Sequence, residues 1–320
     1  MTTSAKVPTP DAGSGVASVR LGVFSPSVVL GVAASGGALS RAGLHIDEVP
    51  ATSSSQQFAD LADGRLDAVL TSPDNVLAYR ASADNPLRRQ LDVTILAAVD
   101  RGLGLSLFGA PGIDSATRMR GGVLAVDVPT SGFAFVAYEL LARLGLARGV
   151  DYTVRALGTT PKRASALSAG QCQMTVLNAG NDLRAEAAGC PRITRACTLG
   201  PYLGTVLATS RATLARATDL IGRLTGVVVS TSTAILRGEL AELAAAETVR
   251  RLGLDPAGTG RYLATLADPA EGLIGDGRCD QDALATLCRL RHVYGDGGPD
   301  LSTLVAPGSG LLDERFLPRR

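Results

Sequence analysis

Aromatic residues are scarce in this sequence of 320 residues, and charge of neither sign is in excess. Phe, Trp and Tyr make up 4% of the residues and Trp is absent, so stacking on aromatic rings is not expected to dominate binding. Lys and Arg number 31 against 30 Asp and Glu, a formal net charge of +1. This balance argues against a basic nucleic-acid binder or an acidic tail, and no nucleic-acid partner is predicted.

Metal, disulfide and nucleotide chemistry have little support in the sequence. The five cysteines include no C-x-x-C pair, and the two histidines, His45 and His292, stand far apart. An odd cysteine count without that spacing argues against a disulfide framework or a zinc ribbon, so no metal site is predicted. The sequence has no Walker motif, no G-x-S-x-G elbow and no G-x-G-x-x-G after a strand, and no cofactor is predicted.

The sequence also shows no secretory leader and no membrane span. Residues 1–18 are polar and rich in Pro, Gly and Ser, which predicts a disordered N-terminal arm. No run of about 18 apolar residues occurs. As written, the chain is expected in the cytoplasm; had a leader been removed, the periplasm or the cell exterior would be expected.

Short apolar strands alternate with helical segments along the first two thirds of the chain. A strand is predicted at Val19–Phe24, followed by a helix from Val28 to Ser40. The same order of strand, polar loop and helix continues through residues 67–75 and 123–144, while residues 212–295 have a mainly helical pattern. Strands that alternate with helices predict an α/β fold with mostly parallel sheets.

Two passages of this pattern match at an offset of 106 residues. The identities at that offset are Leu61 with Leu167, Gly64 with Gly170, and Asn75 with Asn181. The segments around these pairs also share the same predicted order of helix, strand and loop. The repeat therefore predicts two similar α/β lobes.

Five short loops rich in Ser, Thr and Asn follow the predicted strands. Ligands of parallel sheets bind beyond the carboxyl ends of the strands, where helix N-termini also suit an anion. The candidate ligand contacts in these loops are Ser25, Pro26, Ser27, Thr71, Ser72, Asp74, Asn75, Pro129, Thr130, Ser131, Thr159, Asn178, Asn181 and Asp182. Ser25 and Ser27 are equally typical of a strand end, Thr130 and Ser131 of helix caps, and Asp74 of a cap or of a contact to an amine or hydroxyl. Thr160 and Asp280 are predicted N-caps of later helices, and Phe133 is predicted on the apolar stripe of the helix that follows Gly132. Arg163 is more typical of a solvated charge, with a ligand carboxylate as the alternative partner.

Several segments together resemble a known superfamily. They are residues 64–75 (GRLDAVLTSPDN), 149–152 (GVDY), Arg163 with 166–170 (ALSAG), 272–274 (GLI) and 311–317 (LLDERFL). From residue 19 to about residue 316 the chain resembles the type II periplasmic-binding-protein superfamily. Within it, the chain is most similar to the nitrate-, sulfonate- and taurine-binding and thiamine-pyrimidine-synthase-like group.

The resemblance implies a two-lobed α/β fold with a ligand cleft between the lobes. Lobe 1 would comprise residues 19–100 and 205–320 with the C-terminal helices, and lobe 2 residues 105–200. Crossover strands are expected near residues 97–108 and 202–208, and Tyr202 joins the expected ligand contacts. The implied function is binding of a polar or anionic organic solute, with hinge closure and, if the chain is exported, a transporter permease as partner.

An enzyme on the same fold is the alternative that the resemblance leaves open. Relatives include an aryl-sulfinate desulfinase, dehydratases and the thiamine pyrimidine synthase, so a lyase-like, desulfinase-like or synthase-like reaction is conceivable. The desulfinase nucleophile is a Cys in the first loop, where this chain has Ser25-Pro26-Ser27, and the synthase's Cys-rich motif is absent. Ser25, Ser27, Asp74, Asn75 and Asp182 would then be candidates for polarisation and proton transfer.

Overall fold

Two separate five-stranded sheets organise the described part of the chain, which comprises residues 16–295 and 301–319 of the computed structural model. The strands are β1 (Ala17–Val23), β2 (Leu44–Pro50), β3 (Ala68–Thr71), β4 (Val93–Asp100), β5 (Ser106–Gly109), β6 (Gly122–Val126), β7 (Tyr152–Ala156), β8 (Met174–Leu177), β9 (Arg192–Arg195) and β10 (Thr205–Ser210). Most of the predicted N-terminal arm lies outside the described residues. The first strand begins at Ala17, slightly before the predicted start at Val19.

Helices cover the sheets and form most of the C-terminal third. They are α1 (Val28–Ser35), α2 (Ala38–Arg41), α3 (Ser54–Ala62), α4 (Pro73–Ala81), α5 (Ala116–Met119), α6 (Gly132–Arg143), α7 (Thr160–Ser168), α8 (Asn181–Ala187), α9 (Arg211–Arg216), α10 (Thr218–Leu236), α11 (Ala241–Leu252), α12 (Pro256–Ala267), α13 (Gln281–Tyr294) and α14 (Ser302–Val305). The single helix predicted from Val28 to Ser40 is wrong. The chain turns at Gly37, whose φ of +72° is a left-handed conformation that Gly adopts at little cost, and a new helix begins there.

Both sheets have the same strand order. The first runs β2-β1-β3-β10-β4 and the second β7-β6-β8-β5-β9. In each sheet one strand, β10 or β5, is antiparallel to its two neighbours, and the remaining pairs are parallel. The antiparallel strand is the one that arrives from the other sheet, after residues 101–105 or 196–204. The predicted α/β class is confirmed; in each sheet four of the five strands run in one direction, but only half of the strand pairs are parallel.

The repeat at an offset of 106 residues corresponds to equivalent elements of the two sheets. Helices α3 and α7 are offset by 106 residues at both ends, and so are β3 and β8. Gly64 and Gly170 follow the two helices with φ of +71° and +69°. Leu61 and Leu167 are fully buried beneath them. These two identities mark a shared local structure, whereas the third pair differs, since Asn75 is the third residue of α4 and Asn181 is the first residue of α8.

Helix α10 is the one described helix that is long and apolar enough to cross a membrane by length and composition. Within its apolar window, 44% of the residues are buried inside the protein. Val227, Val228 and Val229 belong to the same buried cluster as Leu21 and Leu96 of the first sheet. This is the packing of a core helix.

The C-terminal segment that contains α13 is attached to the first sheet at both ends. Before α13, the amide of Ala98 in β4 donates to the carbonyl of Gly277; after it, the amide of Ile95 donates to the carbonyl of Leu311. Between these attachments, α13 packs against α4 and also against α6, which covers the second sheet. The predicted N-cap Asp280 is present, since its carboxylate accepts from the Ala283 amide at 2.9 Å.

Candidate functional site

A cleft of about 1030 Å³, measured out to its open mouth, lies where loops from both sheets face each other. Nine of the predicted ligand contacts line it: Ser25, Pro26, Ser27, Thr71, Ser72, Asn75, Ser131, Thr159 and Asn178. They come from the loops after β1, β3, β6, β7 and β8. The expectation that these five loops converge therefore matches the observed geometry.

Six predicted contacts lie outside the lining of the cleft: Asp74, Pro129, Thr130, Asn181, Asp182 and Tyr202. Asp74 is buried in an ion pair with Arg291. Pro129 and Thr130 are exposed on the rim, and the carbonyl of Pro129 accepts from the hydroxyl of Tyr138 at 2.9 Å.

The other three are buried. The side-chain amide of Asn181 donates to the carbonyl of Asn178 at 3.1 Å, and Asp182 pairs with Arg192. Tyr202 is 2% exposed and its hydroxyl has no partner among the described residues. Each side chain is thus directed to the protein interior.

Four helices begin at the cleft. Ser27, Ser72, Ser131 and Thr159 are the N-caps of α1, α4, α6 and α7, each in the extended conformation that N-caps require. Thr159 is the cap where Thr160 was predicted. Free backbone N–H groups and the positive end of the helix dipole at such termini favour an anion.

Ser72 differs from the cleft serines that cap through their side chains. The Ser27 and Ser131 hydroxyls each accept from a backbone amide of the first turn, at 3.3 Å. The Ser72 hydroxyl makes no such bond and, although buried, has no partner among the described residues. A buried hydroxyl without a partner is costly, which suits a group that a ligand satisfies.

Arg163 supplies a buried positive charge at the cleft. It is 1% exposed, so the expectation of a solvated charge is wrong. The guanidinium donates to the carbonyl of Gly158 at 2.6 Å, to the hydroxyl of Thr175 at 3.1 Å and to that of Thr160 at 3.2 Å. These acceptors are neutral, and no described carboxylate lies within ion-pair distance. Burial lowers the pKa of the guanidinium; arginine nevertheless stays charged in proteins.

Two acids in the cleft were missed by the sequence analysis. Asp100 ends β4, and burial raises its pKa to about 6, although the Gly102 amide donates to it at 2.8 Å. Asp127 follows β6 and accepts from the Ser131 hydroxyl at 2.5 Å. Neither forms an ion pair with a described residue. Both acids lie at strand ends. The same criterion identified the serine-containing loops as candidate ligand contacts, so it could have identified these acids.

An apolar part of the lining was missed as well. It comprises Phe24, Leu103, Phe133, Tyr262, Leu266 and Leu273. Tyr262 and Leu266 belong to α12, far along the chain from the strand-end loops. Phe133 was predicted on the buried stripe of its helix; it is half-buried and lines the cleft. The cleft thus offers both polar and carbon-contacting walls.

Nucleophilic groups are few near the site. Among the described residues that line the cleft there is no Cys and no His. Burial, together with nearby Glu271, raises the pKa of the Cys197 thiol to about 11, so it is a weak nucleophile at neutral pH. No group of three or more His, Cys, Asp or Glu residues in the described part of the chain could hold a metal ion.

Comparison with known proteins gives similarity in structure only. No protein-family model matches the sequence, and no curated protein matches it either. The alkanesulfonate-binding protein SsuA from Xanthomonas axonopodis pv. citri, solved with bound MOPS, superposes with a TM-score of 0.70 at 16% identity, covering 93% of this chain and 97% of that one. The chain has the type II periplasmic-binding-protein fold.

Two further structures with this binding-protein fold bear on function. The periplasmic nitrate-binding protein NrtA from Synechocystis PCC 6803 has a TM-score of 0.66 at 11% identity and covers 77% of this chain and 70% of its own. The desulfurization enzyme DSZB has a TM-score of 0.61 at 14% identity, with 93% and 97% covered. The predicted resemblance is confirmed at the level of the fold, which binding proteins and an enzyme share.

Proposed function

We propose that the chain is a solute-binding protein that holds a small organic anion in the cleft between its lobes. The observation that carries the proposal is the buried Arg163, which has no carboxylate partner among the described residues and lies where four helix N-termini converge. Such an arrangement presents positive charge on the Arg163 side of the cleft, while Asp100 and Asp127 make other parts of the lining acidic. The alkanesulfonate- and nitrate-binding neighbours, whose ligands are anions, support this class.

The remaining lining restricts the ligand further. The Ser72 hydroxyl is free to donate to the anionic group. Asp100 and Asp127 are acceptors for hydroxyl or amino groups elsewhere on the ligand, and Tyr262 with Leu266 gives its carbon atoms an apolar surface.

The lobe boundaries and the transport context belong to the same proposal. Residues 19–100 and 205–320 would form one lobe and residues 105–200 the other, with α13 reaching across. A neighbour described as the ligand-binding component of an ABC-type import system in Staphylococcus aureus supports a permease as partner. That role would place the chain outside the cytoplasm.

The enzyme alternative is less well supported. DSZB shows that the fold can carry catalysis. The cleft-lining residues described here include no Cys or His, and Ser25 and Ser27 have no described histidine base beside them in the lining. A serine nucleophile is activated by an adjacent base, and Asp100 and Asp127 are the acids that the lining supplies. Binding without chemical change therefore fits the cleft better.

Removal of the Ser72 hydroxyl tests the proposal. Thermal shift would be measured with MOPS, nitrate, short alkylsulfonates, dicarboxylates and phosphate esters. At least one anion should raise the Tm of the unmodified protein. Ser72→Ala should weaken its binding about tenfold or more, because a hydrogen bond to a charged group contributes about 1.5–3 kcal/mol. Without ligand, the Tm should be unchanged or higher, since an unsatisfied hydroxyl is removed.

Ser53→Ala is the matched control. Ser53 caps α3 outside the cleft and accepts from the Gln56 amide at 3.1 Å. Its loss should cost about 1 kcal/mol of stability and leave anion binding intact. Full affinity in Ser72→Ala would place the anion elsewhere, and no binding of any anion would contradict the proposed class.

A further inference from the structure

A buried ion pair joins helix α13 to the entrance of α4. The Nε and Nη2 atoms of Arg291 donate to the two carboxylate oxygens of Asp74 at 2.7 and 2.5 Å. The side chain of Asp74 is 1% exposed and that of Arg291 17%. Two parallel bonds between a planar guanidinium and a carboxylate fix orientation as well as distance. Asp74 lies in the first turn of α4, two residues after the cleft residue Ser72.

The same guanidinium contacts the other side of the cleft. Its Nη2 lies 3.4 Å from the carbonyl of Thr130, and its central carbon lies 5.1 Å from the centre of the Phe135 ring. Thr130 precedes α6 and Phe135 lies in its first turns. Arg291 therefore contacts the N-terminal ends of α4 and α6 together, one on each sheet.

Direct packing between these two helix ends accompanies the ion pair. A Cβ built on Gly132, the first residue of α6, would lie 2.6 Å from the Cβ of Asp74. Any side chain at this position would force the two ends apart. The close approach depends on the glycine, and the N-caps of the two helices, Ser72 and Ser131, both line the cleft.

Helix α13 (Gln281–Tyr294), called the strap below, is attached to the first sheet and packs on a helix of the second. The segment leaves β4 at Gly277 and returns to it at Leu311, yet in between α13 lies on α6 of the other sheet. The hydroxyl of Tyr294 donates to Glu139 of α6 at 2.8 Å and its ring stacks near that of Phe135. Hinge motion at the crossovers would therefore have to separate α13 from either α4 or α6.

We propose that Arg291 is a positioning residue for the cleft, which clasps the N-terminal ends of α4 and α6 and holds the lobes closed in the absence of ligand. Its importance for binding rests on the proposed function, but the closure itself does not. When the lobes part, Arg291 loses either its carboxylate partner or its contacts to α6. Loss of Asp74 is costly because it leaves a buried charge without its partner, whereas loss of the α6 side removes the hydrogen bond to Thr130 and the cation–π contact with Phe135.

Small-angle X-ray scattering on the ligand-free full chain tests the clasp. The unmodified protein should have the radius of gyration of the closed structure, and Arg291→Gln should increase it while the circular dichroism spectrum stays that of a folded chain. Arg291→Lys, which retains one charged contact, should restore part of the closure. Hydrogen exchange of the first-turn amides of α4 and α6 should rise in Arg291→Gln. A merely structural role would lower the Tm without moving either readout.

Two further variants keep the test decisive. Gly132→Ala retains the ion pair but forbids the close approach, so it should also increase the radius of gyration if Arg291→Gln does not fold. Arg88→Gln is the control for loss of a surface charge, since Arg88 pairs with Asp84 at 3.1 Å and both side chains are exposed, away from α13 and α6; it should leave the radius unchanged. The proposal would be overturned if the radius of gyration of the unmodified protein exceeded that of the closed structure. It would also be overturned if Arg291→Gln and Gly132→Ala both kept the radius of the closed structure. Because no ligand is present, a failure to bind anions would affect only the proposed function.

Discussion

The loops that follow β3 and β8 occupy equivalent places in the two sheets, and each introduces an acid into the first turn of the next helix. Asp74, after β3, pairs with Arg291, which is 217 residues away and reaches it from a strap shared with the other sheet. Asp182, after β8, pairs with Arg192 at 3.2 Å within its own sheet's layer. Asp74 binds a helix that also contacts α6 of the other sheet, whereas Asp182 and Arg192 both belong to elements of the second sheet.

The two acids also differ in how well their charge is compensated. Arg291 binds both oxygens of Asp74 and has no other acidic partner among the described residues. Arg192 is shared, because its Nε also lies 2.8 Å from Glu186. Burial raises the pKa of Asp182 to about 6 despite the nearby guanidinium. The same loop position thus gives a strongly paired acid in one sheet and a weakly compensated one in the other.

Truncation of each acid should give the largest contrast. Asp74→Ala leaves Arg291 largely buried without an anion and should cost about 3–5 kcal/mol of unfolding free energy. Asp182→Ala should cost only about 1 kcal/mol, because Arg192 keeps Glu186 and a desolvated carboxylate is removed. Urea unfolding of both variants would measure the difference. Equal losses would show that the two pairs are equivalent.

The pH dependence of the unfolding free energy should also distinguish Asp182 from Asp74. The folded-state pKa of Asp182, about 6, exceeds the ordinary value of 3.8, so between these values the folded chain holds a proton that the unfolded chain has released. Its stabilising effect is present at low pH and is lost as pH rises through about 6. Relative to the unmodified protein, Asp182→Asn should therefore gain about 1 kcal/mol on going from pH 5 to pH 8. A difference that does not vary with pH would contradict the raised pKa.

Substitution of Gly64 or Gly170 by Ala should lower stability least, and by similar amounts at the two positions. Both have left-handed backbone, and a Cβ at either would meet no atom closer than 3.9 Å. The strain of that conformation, about 1–2 kcal/mol, is offset by the lower entropy of the unfolded Ala chain, for a net loss of about 0.5 kcal/mol. Gly64→Ala and Gly170→Ala should give equal losses in thermal unfolding. Unequal losses would break the structural equivalence of the repeat.

Local patterns predicted the parts of the molecule that depend on near neighbours. Helix periodicity, caps and turns located the repeated α3–β3 and α7–β8 units, and the rule for parallel strands located nine residues of the cleft. Asp74 was predicted as a helix cap or a ligand contact, which are inferences from its near neighbours in the sequence, whereas Ser72 is the N-cap and Asp74 pairs with Arg291. Its partner could not be recognised, because Arg291 is brought to it only by the strap.

The missed part of the cleft has the same physical origin. Tyr262 and Leu266 reach the lining from α12, whose own pattern is that of an ordinary amphipathic helix. Arg163 has the surroundings of a surface residue in the sequence, and only the tertiary fold buries it. Gly37 divided a predicted helix because a single left-handed residue suffices to end one, while the flanking apolar pattern continues.

Native mass spectrometry after incubation with a bacterial metabolite extract tests the central claim most directly. The unmodified chain should retain one small anionic molecule, chemically unchanged, and Ser72→Ala combined with Asn75→Ala should lose it while remaining folded. A metabolite consumed and converted to a new mass would contradict the binding-protein account in favour of an enzyme. Equal retention by the double variant would show that the ligand lies outside the cleft.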